Sequence, residues 1–131
     1  MTYISYDKMI DHGVCGKERP DFIFDCQIHM IVIEVDEHQH EGYICECEQT
    51  RMINIGQALG IKTLFIRYNP DKYKPLTGRP ENNQQKRMET LKRQIEHWQT
   101  TPLPTEGVCF VTHLYYDGDD PIQWKTLNKL Y

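Results

Sequence analysis

A chain of 131 residues with 39% hydrophobic and 26% charged content is long enough for one domain with its own core, and wholesale disorder is excluded. No segment approaches the ~18 to 20 continuous apolar residues of a bilayer span, and the opening MTYISYDKMIDHG lacks the basic-then-apolar pattern of a signal peptide. The expectation is an intracellular chain, in cytoplasm or nucleus, neither secreted nor membrane-bound. Its five cysteines then read as thiols or metal ligands rather than a disulfide framework.

The net charge of −4 hides an asymmetry. Residues 1–50 hold eleven acids against three bases, and residues 62–93 hold nine bases against three acids. An acidic pocket within reach of a basic surface suits a metal-dependent enzyme acting on a polyphosphate. An unevenly charged solvated surface gives the same totals.

Along the chain, residues 2–10 read as a short strand or a loose lead-in. HGVCGKERP (12–20) is turn-like, punctuated by Gly13, Gly16 and Pro20. Asp21–Cys26 and Met30–Asp36 are strand-like, the second more apolar, and the three residues between them predict an antiparallel hairpin. Tyr43–Leu59 carries Ile44, Met52, Ile55 and Leu59 at helical spacing before Gly60. Ile61–Tyr68 is a third buried strand, so strand, helix and strand predict a right-handed crossover to a parallel neighbour. Residues 69–83 form a loop, and Gln84–Gln99 a helix with a core stripe of Met88, Leu91, Ile95 and Trp98. Residues 108–116 form a further strand.

Side chains alternate along a strand, so Glu34 and Asp36 share one face while Ile33 and Val35 point to the other. Asp21 begins the paired strand, and the two strands can bring Asp21 and Glu34 to one point. Like charges that close call for a hard cation with oxygen ligands, and Mg²⁺ takes only one or two carboxylates beside its waters. A separate set, His12, Cys15, Cys45 and Cys47, is a candidate for a structural Zn²⁺; the alternative is reduced, partly buried thiols.

The order RPDF, VIEVDEHQH, a helix carrying Arg51, then LGIKTLFIRYN resembles the PD-(D/E)XK nuclease signature. It is closest to the very short patch repair endonuclease-like branch, with its related homing and restriction-type endonucleases. The resemblance covers about residues 15–70 and implies an α/β, restriction-endonuclease-like fold: a mixed β-sheet flanked by helices, as a single domain over 1–131. It implies a metal-dependent DNA endonuclease. Asp21, Glu34 and the Val35 carbonyl would hold Mg²⁺ or Mn²⁺, His40 would be the general base with His38 in reserve, and Arg51 would hold the scissile phosphate. Asp36, counted with them as a catalytic candidate, stands where the signature lysine would be, a departure shared with that branch, where a nearby His is thought to serve as base. The branch also carries a structural zinc near its His-rich loop. Lys17, Arg19, His38 and Arg67 are candidate nucleic-acid contacts, and a homodimer is left open because double-strand cutters of this fold often dimerise. Two other readings stand beside it: a nuclease-fold module that binds nucleic acid without cutting, and a zinc-stabilised interaction domain.

Overall fold

A computed structural model of the chain describes residues 2–6, 11–13, 16–18, 21–36, 45–75, 78–118 and 127–131, with the backbone path alone at 2–6, 11–13, 16–18 and 45–47. Eight strands and two helices are assigned among them. The strands are β1 (Thr2–Tyr6), β2 (Asp11–Gly13), β3 (Gly16–Glu18), β4 (Phe22–Asp25), β5 (Met30–Val35), β6 (Thr63–Tyr68), β7 (Cys109–Leu114) and β8 (Asn128–Lys129). The helices are α1 (Cys45–Leu59) and α2 (Gln84–Thr100).

Six strands form one mixed sheet in the order β1-β4-β5-β6-β7-β8, and β2 and β3 form a separate hairpin beside α1. β4 and β5 are antiparallel, as their short connection requires, whereas β5, β6 and β7 are mutually parallel. The expected α/β mixed sheet flanked by helices is therefore present. The lead-in segment resolves to β1, an antiparallel partner of β4 whose register shifts between Tyr3 and Ser5.

β5 and β6 are covered on both faces, which is why their sequences run as nearly unbroken apolar stretches. Ile31, Ile33, Leu64, Ile66, Phe110 and Leu114 meet Leu91 and Trp98 of α2. On the opposite face Val32, Phe65, Cys109 and Val111 meet Met52 and Ile55 of α1. Both crossovers step the same way across the sheet but place their helices on opposite faces, so they are of opposite hand. One of them departs from the right-handed rule, in which a short strand–helix–strand unit packs back on the sheet. The expected core stripe of α2 holds at Leu91 and Trp98, while Met88 is half exposed. Met88 instead borders an apolar groove with Phe24, Leu91 and Ile95.

Candidate functional site

The α1 face of the sheet changes character between two adjacent rows. Val32, Phe65 and Val111 lie in register across β5, β6 and β7, and two residues further on the same register reads Glu34, Arg67 and His113. An apolar row thus gives way to a polar one at the C-terminal ends of three parallel strands, where open α/β sheets place their sites. Alternation explains it: every second residue of each strand faces α1.

Asp21 stands just before β4, where the strand pairing with β5 ends. Its Oδ2 accepts a hydrogen bond from the Val35 N–H at 2.7 Å. The side chain thereby supplies the partner that the strand no longer does, and its carboxylate is close enough to bear on Glu34. Glu34 is buried and meets the fork of Arg51, with Nη1 to Oε1 at 2.9 Å and Nη2 to Oε2 at 3.3 Å. Burial nevertheless pushes its pKa up to about 7; the charges of Arg51 and Arg67 pull the other way, and Asp21 adds to the rise.

A second chain of contacts runs alongside. Asp36 is fully buried, its N–H donates to Tyr68 O at 2.7 Å, and its Oδ2 accepts from Arg67 Nε at 2.5 Å and from the Tyr116 hydroxyl. Arg67 also pairs through Nη2 with Glu48 of α1 at 2.5 Å. Burial works against its charge, but the hydrogen bond and charge of Asp36, and then Glu48, outweigh that and leave its pKa above the ordinary value. Tyr116 is driven up in turn by burial and by Asp36, so it stays a donor. The His113 ring lies 4.7 Å from that of Tyr116, edge to face. Burial and then Arg67 push its pKa down to about 4, and it is neutral at pH 7.

The sequence expectations divide accordingly. Asp21, Glu34, Val35 and Arg51 come together. Two others lie deeper than expected. Arg67, a candidate nucleic-acid contact, is 3% exposed, and its guanidinium is paired with the carboxylates of Asp36 and Glu48. Asp36, a catalytic candidate, is buried between Arg67 and Tyr116. Arg51, expected on the scissile phosphate, holds Glu34 here.

Lys17 lies in β3 and His12 in β2, while Cys45 and Cys47 open α1; β2 and α1 are neighbours, which brings two elements of the proposed zinc set side by side. Cys15, Arg19, His38 and His40 fall outside the described residues.

Glu48, His113 and Tyr116 were missed as site residues. Glu48 stood three residues before Arg51, within reach of the same helix face. His113 was legible as a polar residue alternating with Cys109 and Val111 in an apolar strand. Tyr116 carried no such signal.

Among the described residues no group of three or more His, Cys, Asp and Glu side chains is arranged to hold a metal ion. Asp21 and Glu34 are two carboxylates, a set that suits a cation keeping several waters. Glu34 bears on the fit: it is buried, and burial raises its pKa although the charges of Arg51 and Arg67 oppose the rise, so a further cation beside it would favour its ionised form. Comparison with family models, with curated proteins and with solved structures gives no match.

Proposed function

We propose that the chain is a metal-dependent DNA endonuclease of the PD-(D/E)XK kind, related to the very short patch repair endonuclease-like branch. One observation carries the reading. Asp21, just before β4, accepts from the Val35 N–H at the C-terminal edge of the paired β5, beside Glu34, which is buried there. Asp21, Glu34 and the Val35 carbonyl would hold Mg²⁺ or Mn²⁺, which supplies a Lewis acid for the phosphate and a more acidic water.

The chain's own groups do the rest. The Val35 N–H holds Oδ2 of the Asp21 carboxylate and so helps to fix its orientation. Arg51 presents a planar fork, and a phosphate accepts that fork as readily as the Glu34 carboxylate does. It would then stabilise charge developing on a phosphodiester. His40, or His38 in its place, follows Asp36 by four or two residues and would act as the general base, since an imidazole's ordinary pKa near ~6.5 suits taking a proton from water at neutral pH. Lys17 and Arg19 would contact the DNA backbone.

A second reading, a nuclease-fold module that binds nucleic acid without cutting, is favoured by one observation: Arg51 satisfies both oxygens of Glu34. Cleavage of supercoiled plasmid separates the two. The endonuclease reading expects nicking that needs Mg²⁺ or Mn²⁺ and is lost, by at least about a hundredfold, in Asp21→Asn and in Glu34→Gln. DNA binding without cleavage under either metal would leave the second reading standing.

A further inference from the structure

Tyr115 is one of two non-glycine residues with positive φ among the described residues, at +64°. A left-handed backbone is costly for a residue with a bulky side chain, and such strain persists only where the surroundings over-determine it. They do so here. The Tyr115 carbonyl accepts from Asn69 Nδ2 at 2.9 Å. Its ring stands edge-on to Tyr73 and Tyr68 at 5.4 Å and 6.0 Å, and the Arg87 guanidinium covers it at 4.7 Å.

The turn breaks the alternation of β7. Leu114 faces α2, so Tyr115 would ordinarily face α1; instead both sit in the core beneath α2. Tyr116 is thereby delivered to the α1 side, against His113 and with its hydroxyl on Asp36 Oδ2. That oxygen also takes Arg67 Nε, and Arg67 reaches Glu48, one turn before Arg51 on α1. A continuous strut thus joins the end of β7 to the end of β5, to β6 and to the helix whose Arg51 grips Glu34.

We propose that Tyr116 is a positioning residue of the candidate site: the left-handed turn at Tyr115 brings its hydroxyl onto Asp36, and the Tyr116–Asp36–Arg67–Glu48 strut fixes Glu34 and Arg51 relative to each other. The inference rests on the endonuclease reading. Tyr116 touches neither substrate nor cation and acts through Asp36. Two carboxylates and a guanidinium that must meet one phosphate tolerate little displacement, and a misplacement of the order of 1 Å costs about a hundredfold in rate.

The experiment compares native chain, Tyr116→Phe, Asp36→Asn and the double variant. It measures the single-turnover nicking rate of supercoiled plasmid in Mn²⁺ well below each melting midpoint, and DNA affinity in Ca²⁺. Tyr116→Phe keeps the ring against His113 and removes only the hydroxyl, so its rate decides the claim even if Asp36→Asn does not fold. The expected result is a rate about ten- to a hundredfold below native with DNA affinity within about twofold, and a double variant no slower than the slower single one. A residue that merely stabilises the fold would leave the rate of the folded fraction unchanged. Native-rate cleavage by Tyr116→Phe overturns the inference and leaves the endonuclease standing, as does a double variant whose losses multiply. A native chain that nicks under neither Mg²⁺ nor Mn²⁺ overturns both.

Discussion

Arg67 holds two carboxylates on one guanidinium, Asp36 through Nε and Glu48 through Nη2, and all three side chains are largely out of water. Replacing a whole buried cluster by apolar groups is often harmless, but removing the guanidinium that two buried acids share leaves both with less compensation for their burial. Arg67→Met is therefore expected to destabilise the fold by about 3–5 kcal/mol, measured by urea unfolding at pH 7. A loss below about 1 kcal/mol would mean that Asp36 and Glu48 find other partners. At this scale the sequence was half legible. Glu34 and Asp21 were readable because strand alternation and pairing fix where they go. The partner of each acid was not, because Arg51 and Arg67 lie on the same side of the sheet and spacing does not decide which guanidinium takes which carboxylate. Tyr116 was hidden for a different reason: a single left-handed residue inverts the face of everything after it.

Between elements, two polar clasps join what hydrophobic contact alone would leave loosely set. Arg87 of α2 donates to the carbonyls of Glu81 at 2.6 Å, Asp71 at 2.9 Å and Asn69 at 3.2 Å, and lies between the rings of Tyr73 and Tyr115. Only a planar fork reaches three carbonyls in that way while stacking, so Arg87→Lys is not conservative. It is expected to cost about 2–3 kcal/mol by chemical denaturation, and a loss under about 0.5 kcal/mol would show that the loop after β6 is held by other contacts.

The second clasp is His29, buried in the β4–β5 turn, whose Nε2 lies 2.7 Å from Trp98 O at the end of α2. A carbonyl accepts, so Nε2 carries the proton and donates. Burial lowers the pKa of this imidazole despite the carbonyl's opposing pull. The folded chain then binds fewer protons than the unfolded one below the ordinary histidine value near ~6.5, so this contribution is present above that pH and lost as pH falls through it. Urea midpoints between pH 7.5 and 5 should decline less steeply in His29→Gln than in the native chain. Equal slopes would contradict the assignment. The helix and strand pattern was legible from periodicity, but these clasps join residues up to 69 apart in sequence and no local pattern encodes them.

The whole molecule is a sheet with one end of its α1 face turned polar, and the parallel arrangement of β5, β6 and β7 is what aligns Glu34, Arg67 and His113 in one row. Two predicted strands with a helix between them foretold the parallel pairing of β5 and β6, while β7 was legible only as a further strand. The opposite hand of the two crossovers did not follow from it, because each helix's face depends on which stripe of the sheet it covers. The uneven charge along the chain gives the proposed DNA affinity a measurable form. Binding in Ca²⁺ should weaken linearly on a logarithmic salt scale, with a slope of about −0.9 per phosphate neutralised, and salt-independent binding would exclude backbone recognition.

The claim on which the functional account turns is that Asp21 and Glu34 form a divalent-cation site although Arg51 already grips Glu34. Calorimetric titration of Mn²⁺ into the native chain, Asp21→Asn, Glu34→Gln and Arg51→Met addresses it without requiring any substrate. The account predicts one Mn²⁺ per native chain, binding weakened at least about tenfold in the first two variants, and tighter binding in Arg51→Met, where a competing cation has gone. No binding to the native chain, or binding indifferent to Asp21 and Glu34, would contradict it.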